Sequence, residues 1–121
     1  MENCKVKHLL FLLSTGLALV LSSGAVAGDP AAGESKFRQL CASCHGNTGK
    51  GDGPAARGLR PPPADMTSSE WQASVDDDYL REIITRGGPA VGKSPMMTPF
   101  GHALRGDDLD NIIAFIRAMD D

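Results

Sequence analysis

The sequence predicts an all-α domain of three or four helices joined by long loops. In three stretches apolar residues recur at intervals of three and four, which is the period of a helix with one buried face. No stretch alternates apolar and polar residues as a half-buried strand would. The 121 residues include 14 glycines and 8 prolines, many of them between the periodic stretches, where they are typical of turns. We therefore expect a small, loop-rich domain with a thin core.

The chain begins with a segment that does not belong to this domain. Basic residues precede an uncharged apolar run at residues 9–21, and residues 25–27 read Ala-Val-Ala. A basic start, an apolar centre and a small-residue cleavage site are typical of a secretory signal peptide. The apolar run is short for a membrane-spanning helix, which needs about 20 apolar residues. We expect residues 1–27 to be removed as a signal peptide, leaving a periplasmic domain of residues 28–121.

The charge balance of that domain restricts its partners. It holds 10 basic and 14 acidic residues. Nucleic acid is excluded as a partner, because phosphate binding needs clustered positive charge. The acidic balance suggests a partner protein with a basic docking face. We expect contact with a membrane only through a partner complex or an uncleaved signal segment.

Three helices are predicted in order along the domain. The first spans residues 30–42, after an Asp-Pro pair that suits a helix start. The second spans residues 74–86, with Ser74 as its cap, three aspartates in its first turn and a Gly-Gly pair after it. The third spans residues 107–119 and is capped by Asp107. The residues expected on the buried faces are Gly33, Phe37 and Leu40, then Tyr79, Leu80, Ile83 and Ile84, then Leu109, Ile112, Ile113, Ile116 and Met119.

Residues 41–45 read Cys-Ala-Ser-Cys-His, and C-x-x-C-H is the attachment signature of c-type haem. The two thiols add to the two vinyl groups of one porphyrin edge, and two intervening residues let one helical turn span that distance. The histidine after the second cysteine then lies beneath the ring, where its imidazole binds iron. The motif therefore predicts one haem c per chain, bound covalently through Cys41 and Cys44, with His45 as an iron ligand.

Three other sites use a similar pair of cysteines. A thioredoxin-like redox pair needs an α/β domain around it, and no parallel-strand pattern is present. A structural zinc site needs four ligands, and beyond residues 41–45 the domain adds only the imidazole of His102. A plain disulfide between Cys41 and Cys44 is the third alternative.

Together with Gly33, Phe37 and Phe115, this motif resembles the class I cytochrome c family over most of the domain. The resemblance implies the cytochrome c fold, with three to four helices and long loops wrapped around one covalently bound haem. In that family a glycine and an aromatic residue of the N-terminal helix pack on the C-terminal helix. Gly33 and Phe37 are therefore expected against the last helix, with Phe115 as the aromatic partner.

The same resemblance implies the remaining site residues. The family's Gly-Pro turn implies that the carbonyl of Pro54 accepts a hydrogen bond from Nδ1–H of His45. In related small cytochromes a Met-Pro-x-aromatic or similar loop brings a thioether sulfur to the iron. The Met-Thr-Pro-Phe stretch here predicts Met97 as the distal ligand. Met96 is the immediate rival, and His102 is expected to be an ordinary loop residue.

A haem with both axial positions filled implies electron transfer and no enzyme activity. We expect one-electron transfer in the periplasm, by a soluble carrier or by the cytochrome subunit of a respiratory or dehydrogenase complex. The donor and acceptor are redox partner proteins that the sequence does not name. The alternative is a five-coordinate haem protein that binds gas or reduces peroxide, which requires that neither methionine binds iron.

Overall fold

The structure, a computed structural model, describes residues 28–120 and contains no strand within that range. The predicted signal peptide lies outside the described residues. None of the described helices is long and apolar enough to cross a membrane. The prediction of an all-α domain is confirmed. Its α-helices are α1 (Pro30–Leu40), α2 (Ala42–His45), α3 (Ser69–Ser74), α4 (Asp77–Arg86) and α5 (Asp108–Arg117), with 3₁₀ turns at Pro54–Ala56, Gly88–Val91 and Gly101–Ala103.

Helices α1 and α5 cross at close range and form the centre of the domain. A Cβ atom on Gly33 would lie 1.9 Å from the carbonyl oxygen of Asn111, so the two backbones approach as only glycine allows. The rings of Phe37 and Phe115 meet edge to face with centroids 5.3 Å apart. This is the packing that the family resemblance implied.

The core is small and draws on three helices and one loop. Helix α4 adds its apolar stripe to the α1–α5 pair, and Met66 enters from the long loop before α3. The buried apolar side chains are Phe37, Met66, Leu80, Ile84, Ile112, Ile113, Ile116 and Met119.

One predicted helix start was wrong, and another is confirmed in position without the expected side-chain cap. Helix α4 begins after Asp76, whose carboxylate accepts a hydrogen bond from the Tyr79 N–H at 2.7 Å. Ser74 does not cap it but ends α3, where its hydroxyl donates to the Trp71 carbonyl. Asp107 precedes α5 without a side-chain capping bond.

A polar cluster that the sequence did not predict joins α3, α4 and α5. The buried amide of Gln72 donates to the carbonyls of Met66 and Ile116 at 2.8 and 2.7 Å. The guanidinium of Arg117 donates to the Gln72 side-chain oxygen and to the Asp77 carboxylate, each at 2.8 Å. Two side chains thereby tie the short helix α3 to the core.

Candidate haem site

The motif cysteines and histidine lie on one helical turn, as the spacing predicted. Helix α1 ends at Leu40, and α2 begins after Cys41. The Cys41 carbonyl accepts hydrogen bonds from the N–H groups of Cys44 and His45 at 3.2 and 2.9 Å. Both cysteines are free thiols and half-buried. The turn therefore presents two thiols and an imidazole from three of its five residues, and the other two, alanine and serine, are small.

The environment of the Cys41 thiol fits addition to a vinyl group better than disulfide exchange. Burial, with a smaller effect from the nearby Cys44, raises the pKa of Cys41 to about 12. Cysteines that exchange disulfides work as thiolates and have a lowered pKa. A neutral thiol carries both the sulfur and the hydrogen that add across a double bond. The environment of Cys41 therefore argues against the thioredoxin-like alternative.

His45 has the properties that an iron ligand needs. Burial lowers its pKa, so the imidazole is neutral near pH 7 and keeps a lone pair for a metal. Its Nδ1 atom is buried and has no hydrogen-bond partner within the described residues. Its ring lies 6.3 Å from that of Phe37, centroid to centroid, which connects the site to the core. A neutral, half-buried imidazole with an unused nitrogen fits the haem that the motif implies.

The loop after α2 folds back onto the motif. The N–H groups of Gly51 and Gly53 donate to the carbonyls of His45 and Cys44 at 2.8 and 3.1 Å. A Cβ atom on Gly53 would lie 2.4 Å from the carbonyl oxygen of Ser43, so this return needs a glycine. Pro54 is thereby held beside the motif. The hydrogen bond expected between the Pro54 carbonyl and Nδ1–H of His45 is not formed in this structure, where Nδ1 has no partner.

Met97 lies on a separate segment that returns to the end of α4. Its carbonyl accepts from the Gly88 N–H at 2.8 Å, and its N–H donates to the Ser94 carbonyl at 3.1 Å. Its side chain is half-buried, whereas that of Met96 is 62% exposed. His102 is exposed in a 3₁₀ turn. The backbone N–H of Met96 is also bonded, to the Ser94 hydroxyl at 3.2 Å. Burial of the side chain therefore distinguishes Met97 from Met96.

A helical domain whose first and last helices cross beside a Cys-x-x-Cys-His turn defines a class I c-type cytochrome. Residues 28–116 match the family described as cytochrome c oxidase, cbb3-type, subunit III, and the chain belongs to this cytochrome c family.

Named relatives agree with this assignment. Cytochrome c-554(547) of Halothiobacillus neapolitanus is 33% identical over 95 residues, which cover 77% of this chain and 99% of that protein. Cytochrome c6 of Rippkaea orientalis is 27% identical over 117 residues, 95% of this chain and 93% of that protein. The solved structure of the KustC0563 c-type cytochrome matches with a TM-score of 0.58 and 26% identity, over 74% of this chain and 98% of that one.

These findings fix the cofactor and the general function. The protein carries covalently bound haem c, for which Cys41 and Cys44 are the cysteines of the attachment motif. It is a haem-based electron-transfer protein and acts with redox partner proteins.

Proposed function

We propose that the protein is a periplasmic one-electron carrier whose haem is held by Cys41 and Cys44, with His45 and Met97 as axial ligands. The observation that carries the proposal is the Cys41–His45 turn, where two free thiols accompany a half-buried, neutral imidazole whose Nδ1 atom is buried. With both axial positions filled, no position is left for a substrate. The protein is then a carrier and not an enzyme.

The chain's own residues have three tasks in this proposal. The haem, once attached, supplies a one-electron Fe(III)/Fe(II) couple. The hydrogen bonds of Met97 to Gly88 and Ser94 hold the distal ligand in place, and a thioether ligand favours the ferrous state. In the haem-bound protein the Pro54 carbonyl accepts Nδ1–H of His45, which fixes the tautomer of the imidazole. The surrounding loops exclude water from the ligands.

The identity of the distal ligand is tested with a pair of matched variants. Met97→Ala opens the sixth position, so the reduced variant binds carbon monoxide with a large Soret shift, and its reduction potential falls. Met96→Ala, which changes the neighbouring exposed side chain, leaves the spectrum and the potential unchanged. The reverse pattern would assign the ligand to Met96. A wild-type protein that already binds the gas would favour the five-coordinate alternative.

Export is the second part of the proposal. The match to the cytochrome family starts at residue 28, which agrees with removal of residues 1–27 as a signal peptide. Mass spectrometry of protein released from the periplasm is expected to show a polypeptide that starts at Gly28 and carries one haem. An intact N-terminus in the membrane fraction would contradict this.

A fixed subunit of a larger complex is the second candidate, because the matching family is described as an oxidase subunit. The relatives, by contrast, are named as single cytochromes. A carrier purifies alone from the native host at moderate salt. A subunit co-purifies with other polypeptides in a constant ratio.

A further inference from the structure

The first two residues that the structure describes, Gly28 and Asp29, lie against helix α5. A Cβ atom on Gly28 would be 2.1 Å from the carbonyl oxygen of Asp110 and 2.7 Å from the backbone nitrogen of Asn111. Backbone atoms this close leave no room for a side chain at residue 28. Gly28 is half-buried, although it precedes the first helix. The contact therefore joins the start of the domain to its last helix.

Both backbone hydrogen-bonding groups of Asp29 are used inside the domain. Its N–H donates to the side-chain oxygen of Asn111 at 2.7 Å, and its carbonyl accepts from the Gly33 N–H at 2.9 Å. Its carboxylate accepts from the Ala31 N–H at 2.9 Å and caps α1, which begins at Pro30. The side chain of Asp29 is exposed, but its backbone is fixed between α1 and α5. We call Gly28 and Asp29 the N-terminal strap.

The N-terminal strap continues the crossing of α1 and α5. Asn111 takes part in both contacts, because its side chain accepts from Asp29 and its backbone carbonyl lies against Gly33. The strap therefore docks on the same stretch of α5 that packs against α1. Undocking the strap frees the hydrogen-bonding groups of Asp29 only if this end of the crossing loosens.

The strap directly follows the bond at which the signal peptide is expected to be removed, between residues 27 and 28. A peptidase binds its substrate as an extended chain on both sides of the bond that it cuts, through backbone N–H and carbonyl groups. Folded proteins are therefore cut at exposed, flexible segments, and elsewhere only as often as they open locally. A docked strap withholds the backbone groups of Asp29 from the peptidase.

We propose that the folded domain protects its own signal-peptide cleavage site, because the N-terminal strap docks on α5. Signal peptidase must then hydrolyse the bond between Ala27 and Gly28 before the strap docks. The reaction consumes one water and leaves a carboxylate on Ala27 and an ammonium group on Gly28. A precursor that acquires haem and folds first keeps its signal segment and stays at the membrane. This inference rests on the export part of the proposed function.

The test compares two populations of the full-length precursor. A reversible inhibitor of signal peptidase is present during export and is then washed out. In a host that attaches haem, the precursor folds around haem during the block. In the same host without the haem-attachment machinery, we expect the precursor to stay unfolded. Gel mobility and haem staining are expected to show prompt cleavage of the haem-free precursor, and cleavage of the haem-bearing precursor slowed about tenfold or more.

Two changes separate the strap from other effects of haem binding. Asn111→Ala removes the acceptor of the Asp29 N–H and is expected to speed cleavage of the haem-bearing precursor about fivefold. Ser35→Ala, on the exposed face of α1, is the control and is expected to leave the rate unchanged. Insertion of Gly-Ser-Gly-Ser between residues 27 and 28 keeps the strap intact but moves the bond away from it. This insertion is expected to restore the rate of the haem-free precursor.

The outcomes distinguish this inference from the proposed function. Equal cleavage rates for the haem-bearing and haem-free precursors would overturn the protection and leave export and electron transfer intact. A haem-bearing precursor that stays uncleaved even with the inserted residues would show that something other than the strap blocks the peptidase. If neither precursor were cleaved after residue 27, both this inference and the export part of the proposed function would be overturned.

Discussion

Gln72 is a polar side chain in the core, with only 8% of its surface exposed. Its amide donates to two carbonyls that belong to different parts of the chain, Met66 in the loop and Ile116 in α5. Its oxygen accepts from Arg117. Buried polar groups that lose their partners cost about 1–3 kcal/mol each, so a side chain with three such bonds has a large effect on stability.

We predict that Gln72→Ala lowers the free energy of unfolding by about 2–3 kcal/mol. It leaves the Met66 carbonyl without its donor, removes one of the donors to the Ile116 carbonyl and removes an acceptor from Arg117. Urea unfolding of the haem protein, followed by circular dichroism, measures the change. Gln39→Ala on the exposed face of α1 is the control and is expected to stay within about 0.5 kcal/mol of the wild type. Equal effects of the two substitutions would show that the Gln72 bonds do not stabilise the fold.

For individual residues, the sequence predicts the chemistry of the haem-attachment motif better than it predicts side-chain contacts in the core. The spacing of Cys41, Cys44 and His45 specifies a single helical turn, because only that turn brings both thiols to one side. Gln72 gives no such signal, since a lone glutamine in a short polar stretch is ordinarily solvated. The Pro54 bond remains a prediction, because it depends on where the imidazole lies when haem is bound.

The crossing of α1 and α5 is the main packing contact between helices. Gly33 allows it, since its Cα lies against the backbone of Asn111. Phe37 and Phe115 fill the space beside the glycine. The position of α1 in turn sets that of the motif, because α2 follows α1 after a single residue.

We predict that Gly33→Ala destabilises the protein by about 2 kcal/mol. Alanine gains about 1 kcal/mol of helix propensity, but an added carbon 1.9 Å from a backbone oxygen forces the helices apart at a cost of about 3 kcal/mol. Ser35→Ala, two residues along the same helix and exposed, is the control. If urea unfolding showed Gly33→Ala to be more stable than the wild type, the close approach of α1 and α5 would not require glycine at this position.

The periodic helices α1, α4 and α5 were predicted from the sequence, and the short ones were not. Helix α3 has six residues and buries only Gln72, so it has no apolar stripe to reveal it. The start of α4 was placed too early because Ser74 and Asp76 are both good capping residues. Asp76 makes the capping bond, and Ser74 bonds within α3 instead.

Within residues 28–120, the domain has a core of eight buried apolar side chains and long loops between its helices. A domain of this size buries a modest share of its surface, and such domains commonly need a metal, a cofactor or disulfides to fold. The loops at residues 46–68 and 87–106 contribute Met66 to this core, and Leu104 packs against it. In the proposed site we expect covalent haem to supply further apolar surface to these loops.

We predict that Cys41→Ala and His45→Ala yield largely unfolded protein when expressed in a host competent for haem attachment. Loss of either residue removes a bond to the haem around which the loops fold. Far-ultraviolet circular dichroism against temperature measures the outcome. A cooperative, native-like transition in a haem-free variant would show that the polypeptide core is sufficient.

The most direct test of the central claim is the visible spectrum of the reduced, exported protein before and after addition of carbon monoxide. We predict sharp c-type bands that do not respond to the gas, because in the proposed site His45 and Met97 occupy both axial positions. A large Soret shift would contradict the closed site and favour gas binding or peroxide reduction. A protein without haem bands, made in a host that attaches haem, would contradict the assignment of the Cys41–His45 turn itself.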